Sequence, residues 1–256
     1  MATTTWQPRG LLAAILMVGL TTSVAAKSGD VYFENFADGP GGWVANRHEP
    51  LPVWDGVAYC FGPWYLDSHH AYPGKGCLHM LMWLLTKTPG EKPFMLPNRF
   101  IDQHHSTNLT DARLSVRLRG DIDLQGAQLL LLAQGRAQGT TANLVLSGQP
   151  FKITRDWSEQ TVTLAPDPGQ WTCLGARESM KHTYGCADVA AVLKDVNVDI
   201  IFVLFPLQIV PVGEAQDPDK LRPGQDYPGE PSYQVWQKYL PKGLVMFDWV
   251  KIVYAR

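Results

Sequence analysis

Four cysteines, two histidine pairs and scattered acidic residues are the groups of this chain most able to do chemistry. Cys60, Cys77, Cys173 and Cys186 allow three pairings. Cys60–Cys77 and Cys173–Cys186 are expected, because each pair brackets a short turn-rich segment. No pair has CxxC spacing, so a zinc site is not expected. His69-His70 and His104-His105 are adjacent residues, which point to opposite faces of a strand and can share one metal only from a loop. Both pairs fall in expected loops, near Asp67 and Asp102. A transition-metal or catalytic site is one reading there, and solvated loop histidines are the other. Glu49, Asp55, Asp67 and Asp102 could supply the two carboxylates of glycoside hydrolysis, a reaction that needs a defined separation between them. The chain has no nucleophile elbow, HExxH run, P-loop or dinucleotide fingerprint.

Aromatic residues are the second resource. Trp43, Trp54, Trp64, Tyr65, Tyr72, Trp236 and Tyr239 fall in or beside expected loops. Their rings present a flat apolar face with a polar handle, the geometry that stacks on sugars. Trp54, Trp64, Tyr65, Trp236 and Tyr239 are the candidate ligand-binding residues, while Trp83 and Trp157 are expected in the core. Arg119-Gly120-Asp121 is an RGD tripeptide at an expected strand end, a sequence that recurs by chance. Asn108-Leu109-Thr110 is a glycosylation sequon, meaningful in a eukaryotic source.

The elements that must position these residues are strands. Residues 1–26 read as a signal peptide: Arg9 precedes an apolar run at 11–20, and Val24 and Ala26 fit the small positions before a cleavage site. The remaining residues, 27–256, suffice for one large sandwich with a sizeable core. A secreted or periplasmic location follows, in which an even cysteine count favours disulfides. Only 18% of residues are charged, against 23 glycines and 19 prolines, a balance poor for helix bundles. The net charge of −2 implies no basic face for nucleic acid.

Period-2 patterns recur between turn signals. Strands are expected at 31–36, 57–61, 77–85, 112–119, 128–134, 161–164, 198–205 and 244–254. Leu114, Val116 and Leu118 alternate with Arg113, Ser115, Arg117 and Arg119. The unbroken apolar run 128–134 suits a central strand covered on both faces. In 77–85, Leu78, Met80, Met82 and Leu84 are expected on one side, with His79, Leu81, Trp83 and Leu85 on the other. One short helix is expected at 188–194, with Asp188 as its N-cap. The stretch 206–243 is a long Pro/Gly-rich loop, of a length usually functional or disordered. Strands without intervening helices argue an all-β antiparallel sandwich.

Three segments are similar to laminin IV (laminin B) domains. The run from Phe61-Gly62-Pro63-Trp64-Tyr65-Leu66-Asp67 through Tyr72-Pro73-Gly74-Lys75-Gly76 into 78–85 resembles the core of that family. Leu118-Arg119-Gly120, Asp156-Trp157, 162–164 and Trp171 follow in similar order. Asp188–Leu193 and the closing Phe247-Asp248-Trp249-Val250-Lys251-Ile252 resemble its end, although Trp249 stands where the family usually has Asn. The 206–243 insertion and the 173–186 loop are also departures. The resemblance implies a jelly roll of the galactose-binding-like kind, shared with carbohydrate-binding modules. By that analogy Glu34, Asp38 and Asp248 match the positions of a structural calcium, completed by carbonyls around 39–42. The expected function is a secreted non-catalytic module binding a glycan or another extracellular macromolecule. The alternatives are a polysaccharide lyase or hydrolase, and an adhesion protein with a protein partner.

Overall fold

The alternation in the run after residue 112 is the clearest instruction in the chain, and it is obeyed. β6 (Arg113–Asp123) buries Leu114, Val116 and Leu118 and turns Ser115, Arg117 and Arg119 outward. The computed structural model describes residues 30–45, 50–61, 77–87, 97–176, 180–207 and 241–256. The expected leader at 1–26, Glu49, Trp64, Tyr65, Asp67, His69, His70, Tyr72, Trp236 and Tyr239 lie outside the described residues.

The described strands form two sheets. The first holds β1 (Val31–Glu34), β3 (Val53–Trp54), β4 (Val57–Phe61), β6, β9 (Ser158–Thr163) and β13 (Lys242–Val253), ordered β3-β4-β13-β6-β9. β13 is its spine. β6 runs along one side of it, while β4 and β1 share the other, at Leu244–Phe247 and Val250–Val253. The second sheet holds β2 (Trp43–Ala45), β5 (Cys77–Leu85), β7 (Gln128–Ala137), β8 (Thr140–Val145), β10 (Thr172–Cys173), β11 (Tyr184–Gly185) and β12 (Asp199–Leu207), ordered β10-β8-β7-β12-β5-β2. Every pairing is antiparallel except β11 with β8. The chain crosses repeatedly between the layers, so the expected antiparallel jelly-roll sandwich is what forms.

The main core lies between the sheets and is centred on Phe202. Its ring meets Trp43 at 5.7 Å, Phe151 at 5.7 Å and Phe247 at 5.0 Å between centroids. A second cluster, including Leu130, Leu132, Ile201, Val203, Phe205 and Trp83, occupies the other face of the second sheet. Strands β7 and β12 are therefore buried on both faces, which is why 129–133 is apolar without alternation.

β5 departs from the expected alternation. Met82 opposes Phe202 and Met80 opposes Val203, so Leu81 is an extra residue in a bulge. The bulge inverts the pattern: Leu78 and Met80 join Trp83 and Leu85 on one side, while Leu81, Met82 and Leu84 face the main core. Trp43, expected near a loop surface, is a core residue whose Nε1 donates to the Tyr32 hydroxyl at 2.9 Å.

The expected helix is α2 (Val189–Lys194), and the Asp188 carboxylate caps it by accepting from the Ala191 N–H at 3.0 Å. α1 (Arg99–Asp102) was not anticipated. It is a single turn capped by the Asn98 side chain and anchored by Phe100 in the core.

Cys173 and Cys186 form the expected disulfide, tying β10 to the segment after β11. Reduction, or Cys173→Ser, is expected to cost about 2–3 kcal/mol in the chain-entropy picture of a loop this short. A thermal melt with and without reductant checks it; identical melting temperatures would contradict it. The expected Cys60–Cys77 bridge is not made. Cys60 is a free thiol on β4, buried in the main core, and burial pushes its pKa well up. The two cysteines are near in sequence, but β4 and β5 belong to opposite layers of the sandwich.

Candidate binding face on the six-stranded sheet

The outward positions of the first sheet carry an uncommon amount of bare ring surface. A two-residue turn sets its edge: Asp55 and Gly56 both have positive φ, at 50° and 72°. That is the conformation of a type I′ hairpin, and Asp-Gly is its favoured sequence. The turn pairs Trp54 with Val57 and puts Trp54, Tyr59 and Phe61 on one face. Asp55 is therefore a turn residue, positioned by its backbone.

Trp54 is 55% exposed and Phe61 48% exposed. Their rings lie 6.2 Å apart and within 12° of parallel, and Tyr59 leans on Trp54 at 4.8 Å. Across the strands Tyr59 opposes Met246, which opposes Arg119; Phe61 opposes Leu244, which opposes Asp121. The face thus runs from an aromatic shelf, over a half-buried apolar floor, to charged groups. Beyond them lies Trp157, expected in the core but only half-buried. Arg119 sits over its ring at 4.7 Å and Arg117 at 5.2 Å. Arg117 is also ion-paired to Asp248, and Arg155 to Asp121 at 3.4 Å. Farther along β13, Phe33, 51% exposed, leans on Trp249 at 6.0 Å. Single exposed apolar residues are ordinary, whereas contiguous apolar patches rimmed by polar groups are where interaction sites are sought.

The RGD tripeptide falls in this sheet and not at a strand end. Arg119-Gly120-Asp121 is interior to β6 and paired with Leu244–Met246. Gly120 packs against backbone: a Cβ there would stand 2.6 Å from the Leu244 carbonyl oxygen. The tripeptide is extended sheet, with none of the prominence of a loop tip.

The three acidic residues assigned to calcium do not converge. Glu34 points inward opposite Val250, fully buried. Its Oε1 accepts from the Phe36 N–H at 2.8 Å and from Arg99 Nη1 at 2.7 Å. Arg99 Nη2 also reaches the exposed Asp38 carboxylate at 3.6 Å. Burial raises the Glu34 pKa, and the Phe36 N–H and Arg99 oppose that rise. Gly41 makes room for the carboxylate: a Cβ at this position would lie 1.7 Å from Glu34 Oε2. Asp248 is on the outer face of the same sheet, held by Arg117. Among the described residues no three His, Cys, Asp or Glu side chains are grouped to hold a metal.

His104 and His105 part company. His104 adopts positive φ on the surface. His105 packs among Tyr32, Phe100 and Tyr254 and contacts Asp30 at 3.3 Å and Gln103 at 3.2 Å. It is a structural residue of the strand ends and not a solvated one. Asp102 caps locally, accepting from the Asn98 N–H at 3.2 Å. Asn108 is exposed, and its side chain accepts from the Thr110 N–H at 3.1 Å. A separate pocket of about 470 Å³ lies beside the disulfide, bordered by Trp171, Lys181 and Tyr184.

Of the ligand-binding candidates, Trp54 is on the face, and the other four lie outside the described residues. Tyr59, Phe61 and Arg119, which share the face with it, were not among the sequence candidates. The Asp-Gly turn at 55–56 followed by alternation was the available signal for the first two.

No family model matches the chain, and no curated protein does. Among solved structures, the L4b domain of human laminin alpha-2 is similar at 8% identity and a TM-score of 0.28, over 78% of this chain and 98% of that one. At that score the two share no more than a distantly similar course of the chain.

Proposed function

We propose that this chain is an exported, non-catalytic binding module that takes a glycan on the outer face of its six-stranded sheet. The single observation behind this reading is the near-parallel, half-exposed ring pair of Trp54 and Phe61, backed by Tyr59. Keeping such rings in water forgoes roughly 1.5–3 kcal/mol of burial for each large apolar side chain, a sacrifice that makes sense when a ligand covers them. Sugar rings fit because their axial C–H faces stack on aromatic faces while their hydroxyls reach polar groups at the rim. The rim here supplies arginine and carboxylate side chains. The Cys173–Cys186 disulfide suits an oxidising compartment, as does the leader-like N-terminus.

The shelf is stiff, since Trp54, Tyr59 and Phe61 stand on paired strands, so little entropy is lost on docking. Trp54→Ala is expected to weaken binding about tenfold, the scale of about 1–1.5 kcal/mol for one ring contact. The melting temperature should barely move, because the ring is already more than half exposed. Titration calorimetry against a panel of neutral and acidic oligosaccharides, with a melt of each variant, checks both. Undiminished affinity in a folded Trp54→Ala protein would remove the shelf from the account.

A further inference from the structure

The charges on this face are unevenly spent. Asp248 neutralises Arg117, and Asp121 neutralises Arg155. Arg119 stands between these pairs, and among the described residues no carboxylate pairs with it. Its Nε is buried without a hydrogen-bond partner, and its guanidinium lies over the Trp157 ring at 4.7 Å. A guanidinium resting on an aromatic ring is held in place, and a positioned planar fork is what a bidentate grip on a carboxylate requires. One short row across the sheet reads Tyr59, Met246, Arg119, with Trp157 under the guanidinium. At about 4.8 Å per strand, Tyr59 and Arg119 are roughly 10 Å apart, within the span of a few sugar rings.

We infer that the face selects a uronic-acid-bearing glycan, with one ring stacked on the Trp54–Tyr59–Phe61 shelf and a carboxylate of the same chain gripped by Arg119. This rests on the glycan reading above and narrows it. A densely sulfated chain fits less well. Such chains are recognised by clusters of basic residues, whereas Arg119 stands near the carboxylates of Asp121 and Glu159, and other cations of this face without an ion pair among the described residues, Arg113 and Lys251, lie four or more residues along the strands from its position. A wholly neutral glycan would leave the guanidinium donors without an anionic partner.

The test uses the unmodified protein and three probe types: oligogalacturonate and oligoglucuronate, their methyl esters, and a heparin-like sulfated oligosaccharide. Calorimetry is expected to show at least one uronate binding about tenfold more tightly than its own ester, the scale of a charge-assisted hydrogen bond. That preference should fade as salt is raised. Arg119→Gln should reduce the acid-over-ester ratio to near one while leaving ester binding intact, and Arg119→Lys should restore part of it. Equal binding of acid and ester by the unmodified protein would overturn the uronate inference and leave the shelf standing. Preference for the sulfated probe would overturn it as well. Absence of binding to every oligosaccharide would instead overturn the glycan reading itself. The acid-to-ester comparison needs no variant, so a destabilised Arg119→Gln protein would not blunt it.

Discussion

Arg99→Met lowers the unfolding free energy by about 3 kcal/mol at neutral pH, the lower end of the range for orphaning one partner of a buried ion pair. Glu34 is the buried partner, with no exposed surface, while Arg99 remains a quarter exposed. Removing Arg99 leaves the carboxylate with the Phe36 N–H as its remaining donor. The sign with pH follows from the raised Glu34 pKa. Below the ordinary carboxylate range Glu34 is protonated in both folded and unfolded chains, and Arg99 has no charge to balance. As pH rises, the unfolded chain ionises first, so stability falls until the folded-state pKa is passed. Arg99→Met raises that pKa further, so the decline extends to higher pH, and the cost of the substitution grows with pH. Denaturant melts from acid to neutral pH read this directly. The double variant Arg99→Met, Glu34→Gln should recover much of the loss, because no buried charge then remains. A pH-independent loss, or none at all, would contradict the ion-pair account.

Phe202→Ala costs about 3–5 kcal/mol, the range for deleting a large core ring. Phe202 is fully buried and touches rings from both layers: Trp43 in its own sheet, Phe247 in the facing one, and Phe151 from a connecting segment. Those neighbours are held by their own strands and can collapse only partly into the gap. Phe61→Ala is the contrast, since its ring is half exposed and its loss should change stability little while weakening the ligand. Urea unfolding at constant m-value separates the two. A Phe202→Ala protein within 1 kcal/mol of the parent would show that the ring cluster is not the centre of the core.

Legibility followed periodicity. β6 and β7 were readable because one alternates and the other holds an unbroken apolar run at 129–133, and each pattern has a single reading in a sandwich. The Asp188 cap was readable because a capping carboxylate before a short apolar triplet is a local signal. β5 misled because a bulge at Leu81 leaves no mark on composition yet exchanges faces for half the strand. The Cys60–Cys77 expectation failed for a related reason: closeness in sequence says nothing about a crossing between layers. The site was half legible. Trp54 was a candidate from its type, while Arg119, now proposed, was read as one charge in an alternating strand. Its meaning depends on which of its neighbours are already paired, and that is a property of cross-strand register.

The central claim is that ligand docks on the outer face of the six-stranded sheet. Backbone and indole amide shifts during an oligosaccharide titration test it most directly. The account predicts that the largest, saturable shifts cluster at Trp54, Tyr59, Phe61, Met246, Arg119 and Trp157, with the second sheet unmoved. Shifts concentrated instead around the pocket at Trp171 and Tyr184, or on strands β5, β7 and β12, would contradict it.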